Sequence, residues 1–165
     1  MADPDRAEIF SAPIDEQLPV FVDQHRQLLI GLLDGVDEEE ARLALVPSRT
    51  TLLGLVKHAI FVERVWFEEA VTGRSRAELG LPDTPDESFE LHPDDTVASV
   101  AAVYRETIAR SRSAVAGMTL EDVLPGNRRG PLPLSWVYLH VLRELAQHCG
   151  HGGILKEQII ARRPA

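Results

Sequence analysis

A chain of 165 residues with 44% hydrophobic and 26% charged residues has the size and composition of one globular domain able to bury its own core. Its net charge of -9, with no Lys/Arg run longer than two residues, excludes the basic face that phosphate neutralisation requires, so nucleic-acid binding is not expected. Cys149, the single cysteine, rules out an internal disulfide and a thiolate cluster and fits a reducing compartment. Residues 1–12 are polar and acidic, with neither the basic nor the apolar region of a secretion signal. No apolar run approaches the roughly 18 residues of a membrane span. A cytoplasmic protein is expected.

Residues 1–12 are expected to form a loosely ordered tail on a single domain spanning 1–165. Leu18, Phe21, Val22, Leu28, Leu29 and Leu32 recur at helical spacing and predict a first helix over residues 13–34, stopped by Gly35. His25 shares that stripe, where a lone histidine is ordinarily a hydrogen-bonded core residue. The acidic segment 37–43 suggests a helical turn broken by Pro47. Ser48, Thr50 and Thr51 offer N-caps for a second helix over 49–72, whose stripe is Leu52, Leu55, Val56, Val62, Val65 and Trp66. His58 falls on its inner face, and Glu63 is expected in a surface ion pair.

Residues 73–94 contain three prolines and many acids without periodicity, which predicts a long connection free to cross over a bundle. A third helix over 95–117 buries Val97, Val100, Ala101, Tyr104, Ile108 and Val115. The run 125–131, rich in Pro and Gly, reads as a loop leading to a fourth helix over 134–161. No strand alternation longer than four residues is present, so the expected fold is all-α, a four-helix bundle without a sheet.

The fourth helix carries an anomaly. At about 100° per residue, positions 137, 141, 144, 148, 151, 155 and 159 share one face. The ends of that seam are Val137, Val141, Leu155 and Ile159, but its middle is Glu144, His148 and His151, with His140 on the flank. Burying such groups unpaired costs several kcal/mol, so they must satisfy one another, reach water or bind an ion. One divalent metal held by His58, Glu144, His148 and His151 meets all three demands. Cys149 points away from the seam and is expected to be an ordinary packed thiol.

The residues Leu52-Leu53-Gly54-Leu55-Val56-Lys57-His58 and Val62-Glu63-Arg64-Val65-Trp66-Phe67, with Glu144-Leu145-Ala146-Gln147-His148-Cys149-Gly150-His151, resemble the DUF664 branch of the DinB-like superfamily. The resemblance runs from the first helix through the fourth. It implies a four-helix bundle of DinB/YfiT-like type with a long crossover between helices 2 and 3. It also implies a divalent metal held by His58 and by residues of the fourth helix. In the mycothiol-dependent isomerases of that superfamily the helix-four pair is Glu-x-x-x-His, which Glu144 and His148 reproduce. In other members it is His-x-x-x-His, which would set Gln147 opposite His151. Gln147 departs from that pattern, and His151 is kept in the site. Glu144 is then either a direct ligand or the carboxylate that orients a ligating imidazole.

The resemblance implies a metal-dependent S-transferase or isomerase that activates a low-molecular-weight thiol such as mycothiol. Zn is the first expectation, and Ni, Fe or Mn also suit imidazole and carboxylate ligands. Which residue is catalytic beyond the activated thiol is not written in the sequence, Glu144 being the one candidate. Arg128 and Arg129, before the fourth helix, are either solvated or touch an anionic substrate group. The expected partner is a small-molecule substrate, with no nucleic acid or membrane, and a homodimer stays open. The competing reading is a non-enzymatic, stress-related bundle protein with a structural ion.

Overall fold

The computed structural model describes residues 9–164, so most of the expected tail lies outside the described residues. The chain is mostly helical. Helix α1 spans Ile14–Gly31, α2 is the short Glu38–Ala41, and α3 runs Leu52–Arg64, passes through a π-helical turn at Val65–Glu69 and ends with Ala70–Thr72. Then follow α4 (Arg76–Leu79), α5 (Val97–Ala114), the strands β1 (Val123–Asn127) and β2 (Gly130–Pro133), and α6 (Leu134–Ile160). Among the long helices α1 packs on α6, and α3 packs on both α5 and α6.

Helix α3 is the central element. Thr51 caps it by accepting from the Gly54 amide at 3.0 Å, and Leu52 to Val56 are all buried. A helical segment apolar on every side, as this first turn is, must be enclosed on every side. The π turn then widens the helix and directs Val65, Trp66 and Phe67, all buried, at different neighbours. Trp66 meets Trp136 at 5.2 Å between ring centroids, and Phe67 meets Tyr138 at 5.5 Å.

Four features depart from the sequence expectation. The segment expected as a bare loop forms a hairpin, antiparallel, with Leu124 opposite Leu132 and Asn127 opposite Gly130. Its turn residues Arg128 and Arg129 have negative φ, while Gly130 takes φ +84°, the arrangement of a tight turn closed by a glycine bulge. Gly126 is obligatory there, because a Cβ would sit 1.7 Å from the Gly130 carbonyl oxygen. The connection between α3 and α5 is also structured: Ser75 and Glu78 form a capping box on α4, and a 3-10 turn at Glu87–Phe89 lies against α3.

On α1, Phe21 and Leu28 face outward at 37% and 57% exposure, and Arg26 takes the buried stripe with Leu18, Val22 and Leu29. Its partner is Glu63, fully buried rather than on the surface. Arg26 donates from Nε and Nη2 to the two Glu63 oxygens at 2.8 and 2.6 Å, and from Nη1 to Asp23 at 2.7 Å. A two-point guanidinium–carboxylate contact is the form in which a buried charge pair is tolerable. No described helix is long and apolar enough to cross a membrane.

Candidate metal centre

His58 projects from α3 towards α6 and is buried. One helical turn earlier, Gly54 lets the 3-10 segment approach: a Cβ there would lie 3.3 Å from the Phe89 carbonyl oxygen. That approach sets Phe89 flat on the His58 ring, with centroids 4.1 Å apart at 12°. It also brings Ser88 to the His58 Nδ1 at 2.6 Å. The Ser88 hydroxyl gives its one proton to the Pro85 carbonyl, so its oxygen must accept from Nδ1–H. His58 is thereby fixed in the tautomer whose Nε2 carries a free lone pair, as a metal-ligating imidazole requires.

Glu144 and His148 come from successive turns of α6. One ligand atom from each of His58, Glu144 and His148 lies within 4.8 Å of the other two, a spacing that could hold a metal ion. The His58 and His148 rings meet edge to face at 4.7 Å. His148 Nε2 is 3.7 Å from one Glu144 oxygen, and His140 Nε2 is 3.9 Å from the other. Both distances are too long for hydrogen bonds. His148 Nδ1 is buried without any hydrogen-bond partner. One nitrogen of His148 thus faces the Glu144 carboxylate while the other is unsatisfied, and with the free lone pair of the His58 imidazole they make a donor set suited to Zn or a similar divalent ion.

Burial above all, with His148 nearby, lowers the His58 pKa to about 4. His148 in particular holds the Glu144 carboxyl below the usual carboxylate range, against burial. At neutral pH both are therefore in the unprotonated forms that bind metal. His58 also gives the metal-free protein a pH dependence. Between pH 6.5 and about 4 the unfolded chain takes up a proton at this position that the folded chain refuses. Stability is complete above pH 6.5 and falls with pH, by on the order of 3 kcal/mol. Urea titrations of stripped protein at pH 7.5 and 4.5 are expected to show this loss, and a smaller one in His58→Gln. An equal loss in both would contradict it.

His151 lies apart from this group. It is exposed, with its ring 5.8 Å from that of His148. The buried face of α6 runs through Val137, Val141, Leu145, Gly152, Leu155 and Ile159, one residue beyond positions 144 and 151. Gln147 is exposed as well. His25 is half-buried, its Nδ1 2.7 Å from the Phe21 carbonyl. Cys149 is half-buried, donates weakly to the His25 carbonyl at 3.5 Å, and burial pushes its thiol up to about 11. Such a thiol is inert.

A cavity of about 140 Å³ opens beside the group, lined by His58, Phe61, Trp66, Arg76, Arg129 and His140 among others. The His140 ring stacks on Trp136 at 4.9 Å and 8° and lies 4.3 Å from Trp66. Arg143 donates to its Nδ1 at 2.8 Å, which leaves the His140 proton on Nε2, facing Glu144. Ser88, Phe89 and Trp136 were not singled out from the sequence, since no short-range pattern ties them to His58 or Glu144.

Residues 17–161 match the mycothiol S-transferase family. The chain belongs to that family, within the DinB-like superfamily. Among solved structures it is similar to a histidine-to-alanine mutant of mycothiol-dependent maleylpyruvate isomerase, with a TM-score of 0.60 and 16% identity. That likeness covers 86% of this chain but only 61% of the other, and at such identity it bears on the fold. No curated protein matches the chain significantly.

Proposed function

We propose that this family member is a metal-dependent transferase that joins a low-molecular-weight thiol of the mycothiol type to an electrophile, its ion held by His58, Glu144 and His148. The observation that carries the reading is the Ser88–His58 contact at 2.6 Å. It frees the Nε2 lone pair towards a carboxylate and a second imidazole, one of whose nitrogens is buried and unsatisfied. The pairing of α1 with α6 and of α3 with α5 supports a four-helix bundle of the DinB type, with a structured crossover that completes the site.

Three protein donors leave coordination open for a substrate. When bound, a divalent ion supplies what no side chain here offers, a lowered pKa for a thiol at neutral pH; Zn is the first candidate, and Ni, Fe or Mn also suit the donors. Ser88 holds the His58 ring in one orientation and one tautomer. Phe89 covers one face of the His58 ring, and Phe61 and Trp66 give the adjoining cavity an apolar wall. In the transfer the thiol proton passes to solvent, the sulfur electron pair forms the new S–C bond, and the leaving group departs with its own pair.

Steady-state loss of thiol with an aryl halide tests the reading. Zinc-loaded protein is expected to exceed the uncatalysed rate by at least about 100-fold. Protein stripped with a chelator should fall to background and recover on adding zinc. Rates at background for mycothiol, bacillithiol, glutathione and cysteine alike would replace this account by a bundle protein with a purely structural ion.

A further inference from the structure

Three arginines packed around α3 find acids. Arg64 is paired with Glu68, Arg76 with Glu69, and Arg26 with Glu63. Arg76, although it lines the cavity, is further committed to the Asp83 carbonyl and lies over Phe61 at 5.1 Å. Arg128 and Arg129 differ. Among the described residues neither guanidinium has a carboxylate or carbonyl partner; the one polar contact of this pair is the Arg129 main-chain amide donating to Asn127 Oδ1 at 3.1 Å. In a chain with 26 acidic and 17 basic residues, these two adjacent cations are exposed and line the same cavity as His58 and Glu144, where they are open to an anionic ligand.

Their position is built rather than incidental. The hairpin turn is fixed by Gly126, Gly130 and the Asn127 side chain. The Arg129 guanidinium carbon lies 5.9 Å from the ring centroids of both Trp66 and Trp136, a cation–π seat that holds the side chain while leaving its N–H groups unused. The Trp66 ring is in turn 4.3 Å from that of His140, which neighbours Glu144. A chain of ring contacts thus joins the cationic end of the cavity to the metal-binding end.

We propose that Arg129, assisted by Arg128, forms an anion subsite in this cavity that selects electrophiles carrying a carboxylate. The inference rests on the thiol-transfer reading and adds to it the class of the second substrate. A planar guanidinium matches a carboxylate through two parallel hydrogen bonds, orienting the electrophile so that its uncharged, reacting end faces the thiol. An electrophile without the anionic group loses that orientation.

Because both tryptophans of the chain, Trp66 and Trp136, lie beneath Arg129, intrinsic fluorescence reports on the subsite directly. Succinate, titrated into zinc-loaded and metal-stripped protein, is expected to change the emission saturably, while the neutral isostere succinamide is not. Arg129→Gln should weaken succinate binding about tenfold or more, Arg129→Lys should retain part of it, and the remote Arg110→Gln should leave it unchanged. In turnover, Arg129→Gln should raise KM for 4-chloro-3,5-dinitrobenzoate about tenfold and leave KM for its methyl ester unaltered. Equal responses to succinate and succinamide, or undiminished succinate binding in Arg129→Gln, would overturn the proposal. The fluorescence titration needs neither thiol nor turnover, so its failure is distinguishable from failure of thiol transfer.

Discussion

Arg26→Met is expected to destabilise the protein by about 3–5 kcal/mol, because it strands Glu63 without its partner. Glu63 is fully buried, and Arg26 has 3% of its surface exposed. The carboxylate receives both of its short contacts, at 2.8 and 2.6 Å, from that one guanidinium. The double variant Arg26→Met/Glu63→Leu removes both charges and fills the space with apolar atoms, so it should recover most of the loss. Urea unfolding of the wild type, both single variants and the double variant measures the coupling. A double variant no more stable than Arg26→Met would mean that the destabilisation comes from lost packing and not from an orphaned charge.

That pair also shows what was hidden in the sequence. Glu63 sits beside Arg64 in a mostly apolar stretch, and its partner is 37 residues away; nothing local tells a buried carboxylate from a surface one. The four long helices were legible because each repeats its apolar residues at the helical period and ends near Gly or Pro. The hairpin was not legible, since Pro and Gly carry the same signal in a loop as in a bulged turn. Only Leu124 and Leu132, cross-strand partners separated by the turn, hinted at pairing.

The candidate site divides in the same way. His58, Glu144 and His148 could be picked out as ionisable groups at helical spacing, and the structure brings their ligand atoms together. His151 shares that spacing but lies exposed. The reason is Gly152, which is buried so closely that a Cβ would lie 2.2 Å from Leu32 Cδ1. A glycine adds nothing to an apolar count, so the seam read from side chains kept its ends at Val137, Val141, Leu155 and Ile159 but put position 151 on the buried face where Gly152 stands. Ser88 lay beyond reach for a different reason: its role exists only once Gly54 admits the 3-10 segment against α3.

The measurement that tests the metal centre most directly is elemental analysis of purified protein and its ligand variants, paired with competition against a chromophoric chelator. Wild type is expected to hold about one divalent ion per chain, as three convergent donors with a locked tautomer imply. His58→Ala and His148→Ala each delete an imidazole donor and should lose most of that metal. Ser88→Ala should keep the stoichiometry but weaken affinity about 10–100-fold, the usual cost of removing the partner that orients a ligating imidazole. His25→Ala and His92→Ala, the latter an exposed residue of the connection between α4 and α5 and outside the convergent group, should bind as the wild type does, and His151→Ala, given its exposure, should lose little. Metal content graded in this order is the predicted result. Content near one ion per chain in both His58→Ala and His148→Ala would contradict the account.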